Sequence, residues 1–139
     1  MNKKGFTLIE VIAIIAILGV IMTLVGPRLI DMLNGGIEKT MKVQENEVKE
    51  SGLIYLEDYC KNPDSGEVCP SSITLDENTY TYSGKITLEE LLSTDIMDGD
   101  VKLNGTKCTG CVVFNNNDAT AYLKCGTTYE TPNYSTKCN

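Results

Sequence analysis

A long apolar run near the start of the chain limits what this sequence can fold into. Between Phe6 and Ile30 the only charged residues are Glu10 and Arg28. As an α-helix rising about 1.5 Å per residue, this run would reach roughly 37 Å, which exceeds the ~30 Å hydrocarbon core of a bilayer. Because the run is apolar on every side, it has no face suited to water. We therefore expect it in lipid or at the centre of an assembly.

Glu10 is the exception within this run. A carboxylate in a hydrophobic helix costs a few kcal/mol unless a partner neutralises it. If the chain were cut after Gly5, Phe6 would carry a new α-ammonium in the same apolar surroundings. Phe6 and Glu10 stand at positions i and i+4, so their opposite charges can meet within one helix or between two chains offset along a shared axis. Pairing between chains would favour the one axial offset between neighbouring helices at which the two charges meet.

The start of the chain carries the motif Lys3-Lys4-Gly5-Phe6-Thr7-Leu8-Ile9-Glu10-Val11. It closely resembles the cleavage and methylation motif of the prepilin family, which covers type IV pilins and the pseudopilins of type II secretion and of competence. The resemblance extends over the motif and the apolar helix that follows. It implies that a membrane-embedded prepilin peptidase cuts between Gly5 and Phe6, that Phe6 is N-methylated, and that Glu10 guides subunit assembly.

Two simpler interpretations compete with this one. A secretory signal peptide would end in a small-x-small cleavage site, but no alanine occurs between Ala16 and Ala119. A plain membrane anchor, with Lys3 and Lys4 holding the amino end inside, leaves Glu10 and the order of residues 3–11 unexplained. We favour the prepilin interpretation over both.

The helix is expected to change character after the apolar run. Gly26 and Pro27 close the run, and a proline inside a helix removes a backbone hydrogen bond. The sequence therefore predicts a kink or local unwinding between Val25 and Ile30. Pilins often carry a proline at the corresponding place, which agrees with this expectation.

From Ile37 to Tyr59 the pattern predicts an amphipathic helix, ending near Cys60–Pro63. Its apolar side consists of Met41, Val48, Tyr55 and Tyr59, at the spacing of one helical face. The expected solvent side carries Glu38, Glu45, Glu47, Lys49, Glu50 and Asp58. We expect the apolar stripe to pack on a globular head.

The head is expected to hold short strands and one short helix. Ile73–Leu75 and Thr79–Ser83 suit strands or loops, and Thr127–Asn139 suits a polar tail that is pinned rather than packed. Thr87 and Glu90 form a capping box that opens a helix, which we expect to stop near Asp98–Asp100. The carboxylates there lack the spacing of an EF-hand loop.

A hairpin is expected between Cys108 and Cys125. Val112–Phe114 and Ala121–Leu123 are strand-like, and a turn at Asn116 and Asn117 would place Val112 opposite Ala121 and Cys108 opposite Cys125. That pair would be non-hydrogen-bonded, where cross-strand side chains approach most closely. A bulge at Gly110 would shift this register.

All six cysteines follow the apolar run: Cys60, Cys69, Cys108, Cys111, Cys125 and Cys138. An even number on the exported side is typical of disulfides formed in an oxidising compartment. Sequence does not choose among the roughly 15 possible connectivities. We expect Cys60–Cys69, Cys108–Cys125 and Cys111–Cys138, with Cys125 as the other candidate anchor for Cys138, since many pilins pin a C-terminal loop in this way.

Composition argues against other classes of function. The formal charge of −7 disfavours a sequence-independent grip on nucleic acid. The chain has no histidine and no known catalytic motif, so we expect no enzyme activity and no cofactor. Zinc and thioredoxin-like readings of Cys108-Thr109-Gly110-Cys111 fail because a second close ligand pair and a βαβ context are missing.

These observations predict a pilin-like α+β fold, in which a long N-terminal helix packs on a small antiparallel head. The expected divisions are a leader over residues 1–5, a helix over 6–61 with a membrane-spanning part at 6–30, and a disulfide-stapled head over 62–139.

The expected function is that of a structural subunit of a type IV pilus or pseudopilus. It would sit in the inner membrane with its amino end inside before joining a surface filament. The resemblance to prepilins implies as partners other pilins, membrane lipid before assembly, a prepilin peptidase, a motor ATPase and a platform protein. The alternative is a membrane-tethered binding module that does not polymerise.

Overall fold

The computed structural model describes residues 5–62, 66 and 68–139. These residues fall into two compact units, Met1–Lys39 and Thr40–Asn139, and helix α1, Leu8–Tyr55, contributes to both. Lys3 and Lys4, and most of the turn expected after Lys61, lie outside the described residues. The fold is α+β and pilin-like, with a long apolar N-terminal helix and a small antiparallel sheet, as the sequence predicted.

The first unit is formed by the apolar part of α1. Within the described part of the chain, the helical stretch Leu8–Lys61 is long and apolar enough to cross a membrane, by length and composition. Helix α1 continues through Gly26 and Pro27. Local unwinding between Val25 and Ile30, one of the two outcomes expected there, is therefore not found in this structure. A kink at Gly26 and Pro27 stays a prediction.

In the second unit, α1 buries the apolar stripe that the sequence predicted. Met41 and Val48 are fully buried and Tyr55 nearly so, while Tyr59 is half-buried and stacks on Tyr55 with ring centroids 4.3 Å apart. After Tyr55 the backbone widens into a π-helical segment, Leu56–Lys61, which the sequence did not indicate. This segment turns Leu56 into the core as well.

The main sheet has five antiparallel strands in the order β1-β2-β5-β6-β7. Their bounds are Ile73–Asp76, Thr81–Thr87, Thr109–Asn115, Asp118–Cys125 and Tyr129–Glu130. The core lies between this sheet and the second half of α1. Its sheet-side members include Ile86, Cys111, Val112, Phe114, Leu123 and Cys125, each no more than 2% exposed.

The central hairpin, β5–β6, has the register expected from the sequence. Val112 pairs with Ala121 and Gly110 with Leu123, so no bulge forms at Gly110. Asn116 and Asn117 make the turn with φ values of 52° and 69°. Two consecutive left-handed residues define the turn type that matches the twist of antiparallel strands, and asparagine tolerates that conformation better than most residues.

Helix α2, Leu88–Leu92, begins as predicted and ends earlier than expected. Thr87 and Glu90 form the reciprocal capping box. The helix then stops because Ser93 and Thr94 donate their hydroxyls to the carbonyls of Glu90 and Leu91, at 2.6 Å in both cases. Hydroxyl side chains compete for carbonyls in this way and favour helix ends. The expectation that α2 reaches Asp98 was wrong.

Two further elements were not expected. Strands β3, Lys102–Leu103, and β4, Thr106–Lys107, form a small separate hairpin around Asn104 and Gly105, which have φ values of 49° and 80°. The C-terminal residues form regular structure where a polar tail was expected, because β7 joins the edge of the main sheet and Tyr134–Cys138 forms helix α3, but no residue of either element is buried.

Candidate functional site

The predicted processing site lies immediately before helix α1. Gly5 and Phe6 are outside regular secondary structure, and α1 begins at Leu8. Phe6 is 80% exposed. Within the described residues, the peptide bond between Gly5 and Phe6 is therefore held neither by a helix nor by packed side chains.

Glu10 takes part in a capping box at the start of α1. Its Oε2 accepts the backbone N–H of Thr7 at 2.8 Å and the Thr7 hydroxyl at 2.9 Å. The N–H of Glu10 in turn lies 3.4 Å from Thr7 Oγ1. The Thr-x-x-Glu pattern of a capping box is visible in the sequence at Thr7–Glu10, but sequence analysis considered only charge pairing for this residue.

Both hydrogen bonds from Thr7 reach the same carboxylate oxygen. Within the described residues, Oε1 of Glu10 accepts no hydrogen bond. Since Phe6 is still bonded to Gly5 in this chain, it has no α-ammonium that Glu10 could meet. Thr7 therefore supplies hydrogen bonds to one oxygen of the Glu10 carboxylate. The proposed pairing of Phe6 with Glu10 stays a prediction.

Helix α1 presents an exposed apolar surface directly after this motif. The large apolar side chains from Leu8 to Leu24 have exposed fractions between 46% for Val11 and 79% for Leu8. Soluble monomers rarely expose continuous apolar surface of this extent. This surface therefore requires lipid or other protein around it.

The six cysteines form three disulfides: Cys60–Cys69, Cys108–Cys125 and Cys111–Cys138. These are the pairs expected from the sequence. The Cα atoms of Cys108 and Cys125 are 4.2 Å apart, as the non-hydrogen-bonded position at the open end of β5–β6 requires. The two cysteines of the CxxC are thus divided between two bridges, and neither keeps a free thiol.

Glu45 was expected on the solvent side of α1, and the structure corrects this. Its Oε1 accepts the Tyr129 hydroxyl at 2.8 Å and also the Thr131 hydroxyl. The backbone of Thr131 donates to the Leu123 carbonyl at 2.8 Å. The reason is that the C-terminal residues return to the sheet edge beside α1, which brings two hydroxyl donors to Glu45.

A surface ion pair supports the same sheet edge. Lys124 Nζ lies 2.8 Å from Glu130 Oε2, across the β6–β7 pairing. The hydrogen bond from Lys124 lowers the pKa of Glu130, and the same bond together with the negative charge of Glu130 raises the pKa of Lys124. The disulfide at Cys138 and the bonds to Glu45 and Lys124 thus hold the C-terminal segment at three places.

Comparison with known proteins agrees with the N-terminal motif. Residues 1–26 match the family model described as the prokaryotic N-terminal methylation motif. The chain is also similar to the type IV narrow pilus major component PilA5 of Thermus thermophilus, with 26% identity over 92 residues that cover 60% of this chain and 79% of that protein. No solved structure matches the chain at a significant level. The motif match and the similarity to a pilin both support the resemblance of this chain to the type IV pilin and pseudopilin family.

Proposed function

We propose that this chain is a structural subunit that polymerises into a type IV pilus or pseudopilus filament. The observation that carries the proposal is the direct junction of the methylation motif to an exposed apolar helix. The apolar side chains of such a helix would contact lipid before assembly and neighbouring helices afterwards. The family is one of structural subunits, so we propose no catalytic activity for this chain.

The proposed maturation removes residues 1–5 and methylates the new amino group of Phe6. A prepilin peptidase would cut the exposed, non-helical bond after Gly5. The remaining parts would be the helix over residues 6–61 and the head over 62–139. Before assembly the helix would lie in the inner membrane with its amino end inside. An assembly ATPase and a membrane platform protein would then extract it into the filament.

In the filament, Glu10 would meet the amino group of Phe6 of the same or a neighbouring copy. A carboxylate and an ammonium that both lie in apolar surroundings are each costly alone, by a few kcal/mol. Their pairing removes most of that cost. Since Thr7 already satisfies Oε2 of Glu10, the amino group would take the oxygen that Thr7 does not use.

The test replaces Glu10 by glutamine, which keeps the size of the side chain and removes its charge. Because loss of the pair costs a few kcal/mol, and every ~1.4 kcal/mol is tenfold in an equilibrium, we expect incorporation into sheared surface filaments to fall at least about tenfold. Membrane insertion should be unchanged. Thr7→Val is the matched control, since it removes the capping hydroxyl and keeps the carboxylate, and it should retain most of the incorporation.

Peptide mapping of the membrane and sheared surface fractions gives the second readout. We expect the surface form to begin at N-methylated Phe6. Recovery of Glu10→Gln in filaments at the level of the unaltered chain would contradict the pairing. Confinement of the unaltered chain to the membrane fraction would favour the alternative, a tethered binding module.

A further inference from the structure

Three charged residues lie along one side of the apolar part of α1. Glu10 and Arg28 are the two charged residues of the apolar run, and Asp31 follows directly after it. Arg28 stands 18 positions after Glu10, which is about five turns at ~3.6 residues per turn, so the two side chains leave the helix in nearly the same direction. Asp31 is about 60° further around the helix. Helix α1 is continuous through this stretch, and all three residues are exposed.

Arg28 and Asp31 do not pair with each other in the single chain. They stand at i and i+3, but within the described residues neither takes part in an ion pair. Before assembly, a long arginine side chain near the end of the apolar run could extend to the membrane surface. Among packed apolar helices that route would be closed, and an unpaired guanidinium becomes costly. Arg28 would then need a carboxylate from another chain.

The pair of Phe6 and Glu10, when it forms between two copies, sets their axial offset. Phe6 lies two residues before the start of α1 at Leu8, so the axial distance from Phe6 to Glu10 is roughly 6 Å. The copy that supplies the amino group of Phe6 is displaced by that distance toward the C-terminal end of the other copy's helix.

Arg28 and Asp31 fit the same offset. The axial rise from Arg28 to Asp31 is about 4.5 Å. When one copy is displaced by roughly 6 Å, its Arg28 therefore lies within about 2 Å, along the axis, of Asp31 of the other copy. A flexible arginine side chain can span this difference. Since Glu10 and Arg28 also lie on the same side of the helix, one neighbour can take part in both pairs.

We propose that Arg28 of one copy pairs with Asp31 of a neighbouring copy, at the axial offset at which Phe6 of the first meets Glu10 of the second. This inference rests on the proposed function, because it needs apolar helices packed side by side and the pairing of Phe6 with Glu10 between copies. It gives each pair of neighbours two charge contacts, one at each end of the apolar run. A shift by a further turn would separate both pairs, so the second contact reinforces the offset that the first favours.

The first test co-expresses Arg28→Cys and Asp31→Cys variants with the unaltered chain and oxidises intact filaments with copper phenanthroline. All six native cysteines are in disulfides, so the added thiols are free to report proximity. We expect a covalent dimer in which peptide mapping joins position 28 of one copy to position 31 of another. The matched control replaces Asp31→Cys by Gly35→Cys, about two turns from Arg28 on the same side of the helix, and should lack the dimer.

The second test asks whether the charges matter as well as the positions. Arg28→Asp and Asp31→Arg should each lower incorporation into surface filaments, relative to the amount in the membrane fraction, at least about tenfold. The reason is that each variant brings like charges together in apolar surroundings. The double variant exchanges the two charges and should recover most of the loss.

Each outcome decides the inference. Filaments that lack the dimer between positions 28 and 31, or that form the control dimer equally well, overturn it. A double variant that assembles no better than the single variants overturns it too. If the unaltered chain forms no filaments, the proposed function fails instead, so the two failures are distinguishable.

Discussion

Gly52 of α1 lies directly against Val112 of the sheet, and its replacement by alanine should destabilise the head. A Cβ at this position would lie 2.7 Å from Cγ1 and 3.1 Å from Cγ2 of Val112. Val112 is fully buried, and its β-branched side chain has little rotational freedom with which to move away. The new methyl group therefore requires a shift of α1 or of β5.

The expected magnitude combines two opposed effects. Overpacking a core typically costs about 1–3 kcal/mol, whereas replacing a helical glycine by alanine favours folding by about 1 kcal/mol. The net loss should be roughly 1 kcal/mol. For a domain of this size that corresponds to a fall in Tm of about 4–8 °C. Near-UV circular dichroism of the full chain in detergent would measure it, since the tyrosines report tertiary packing.

Two further variants separate this contact from other causes. Gly36→Ala is the matched control, because a Cβ there would meet no heavy atom of the described residues within 4 Å, and it should not lower Tm. Val112→Ala should itself cost about 1.6 kcal/mol for two lost methyl groups, plus a cavity term. In that background Gly52→Ala should become neutral or stabilising. An equal loss in both backgrounds would refute the steric argument.

The remaining predictions concern the C-terminal segment. The double variant Cys111→Ala, Cys138→Ala removes a disulfide that joins residues with a sequence separation of 27. In the chain-entropy treatment, this should lower the free energy of unfolding by about 3–4 kcal/mol. Urea unfolding without reductant measures the change, and an unchanged midpoint would contradict the prediction. The pKa of Glu130 is lowered and that of Lys124 is raised by their mutual hydrogen bond. Their pair should therefore add stability at neutral pH, and that contribution should disappear as the pH falls through the pKa of Glu130 or rises through that of Lys124. The Tm difference between the unaltered chain and Glu130→Gln should accordingly be largest near neutrality, and a difference that is constant from acid to alkaline pH would argue against the pair.

Local patterns in the sequence predicted those parts of the fold that local rules govern. The capping box at Thr87 and Glu90 depends on residues within one helical turn. The β5–β6 register follows from two asparagines that accept left-handed backbone. The buried stripe of Met41 and Val48 follows from the helical period. In each case the deciding interactions lie within a few residues of each other or repeat at a fixed spacing.

The parts that the sequence did not predict depend on contacts between distant residues. Glu45 was expected on the solvent side of α1, but its carboxylate accepts hydroxyls from Tyr129 and Thr131, which are more than eighty positions away. Strand β7 contains only two residues and has no periodicity to detect. By contrast, the β3–β4 turn at Asn104 and Gly105 carries the strongest short hairpin signal that sequences offer, and the expectation should have included it.

The charge of Glu10 made it a candidate site residue from the sequence, whereas its capping bond to Thr7 was visible as Thr-x-x-Glu but was not considered. From charge alone, the Glu10 carboxylate was expected to lack a partner in an apolar helix, and it was therefore predicted to pair with the amino group of Phe6. The structure adds two donors from Thr7, and both residues lie after the proposed cut, so the capping box would persist in the processed chain. A carboxylate that is already oriented by Thr7 loses less freedom when an ammonium approaches its second oxygen. The cap and the proposed charge pair are therefore compatible, and the cap would favour the pairing by fixing the direction from which Phe6 must come.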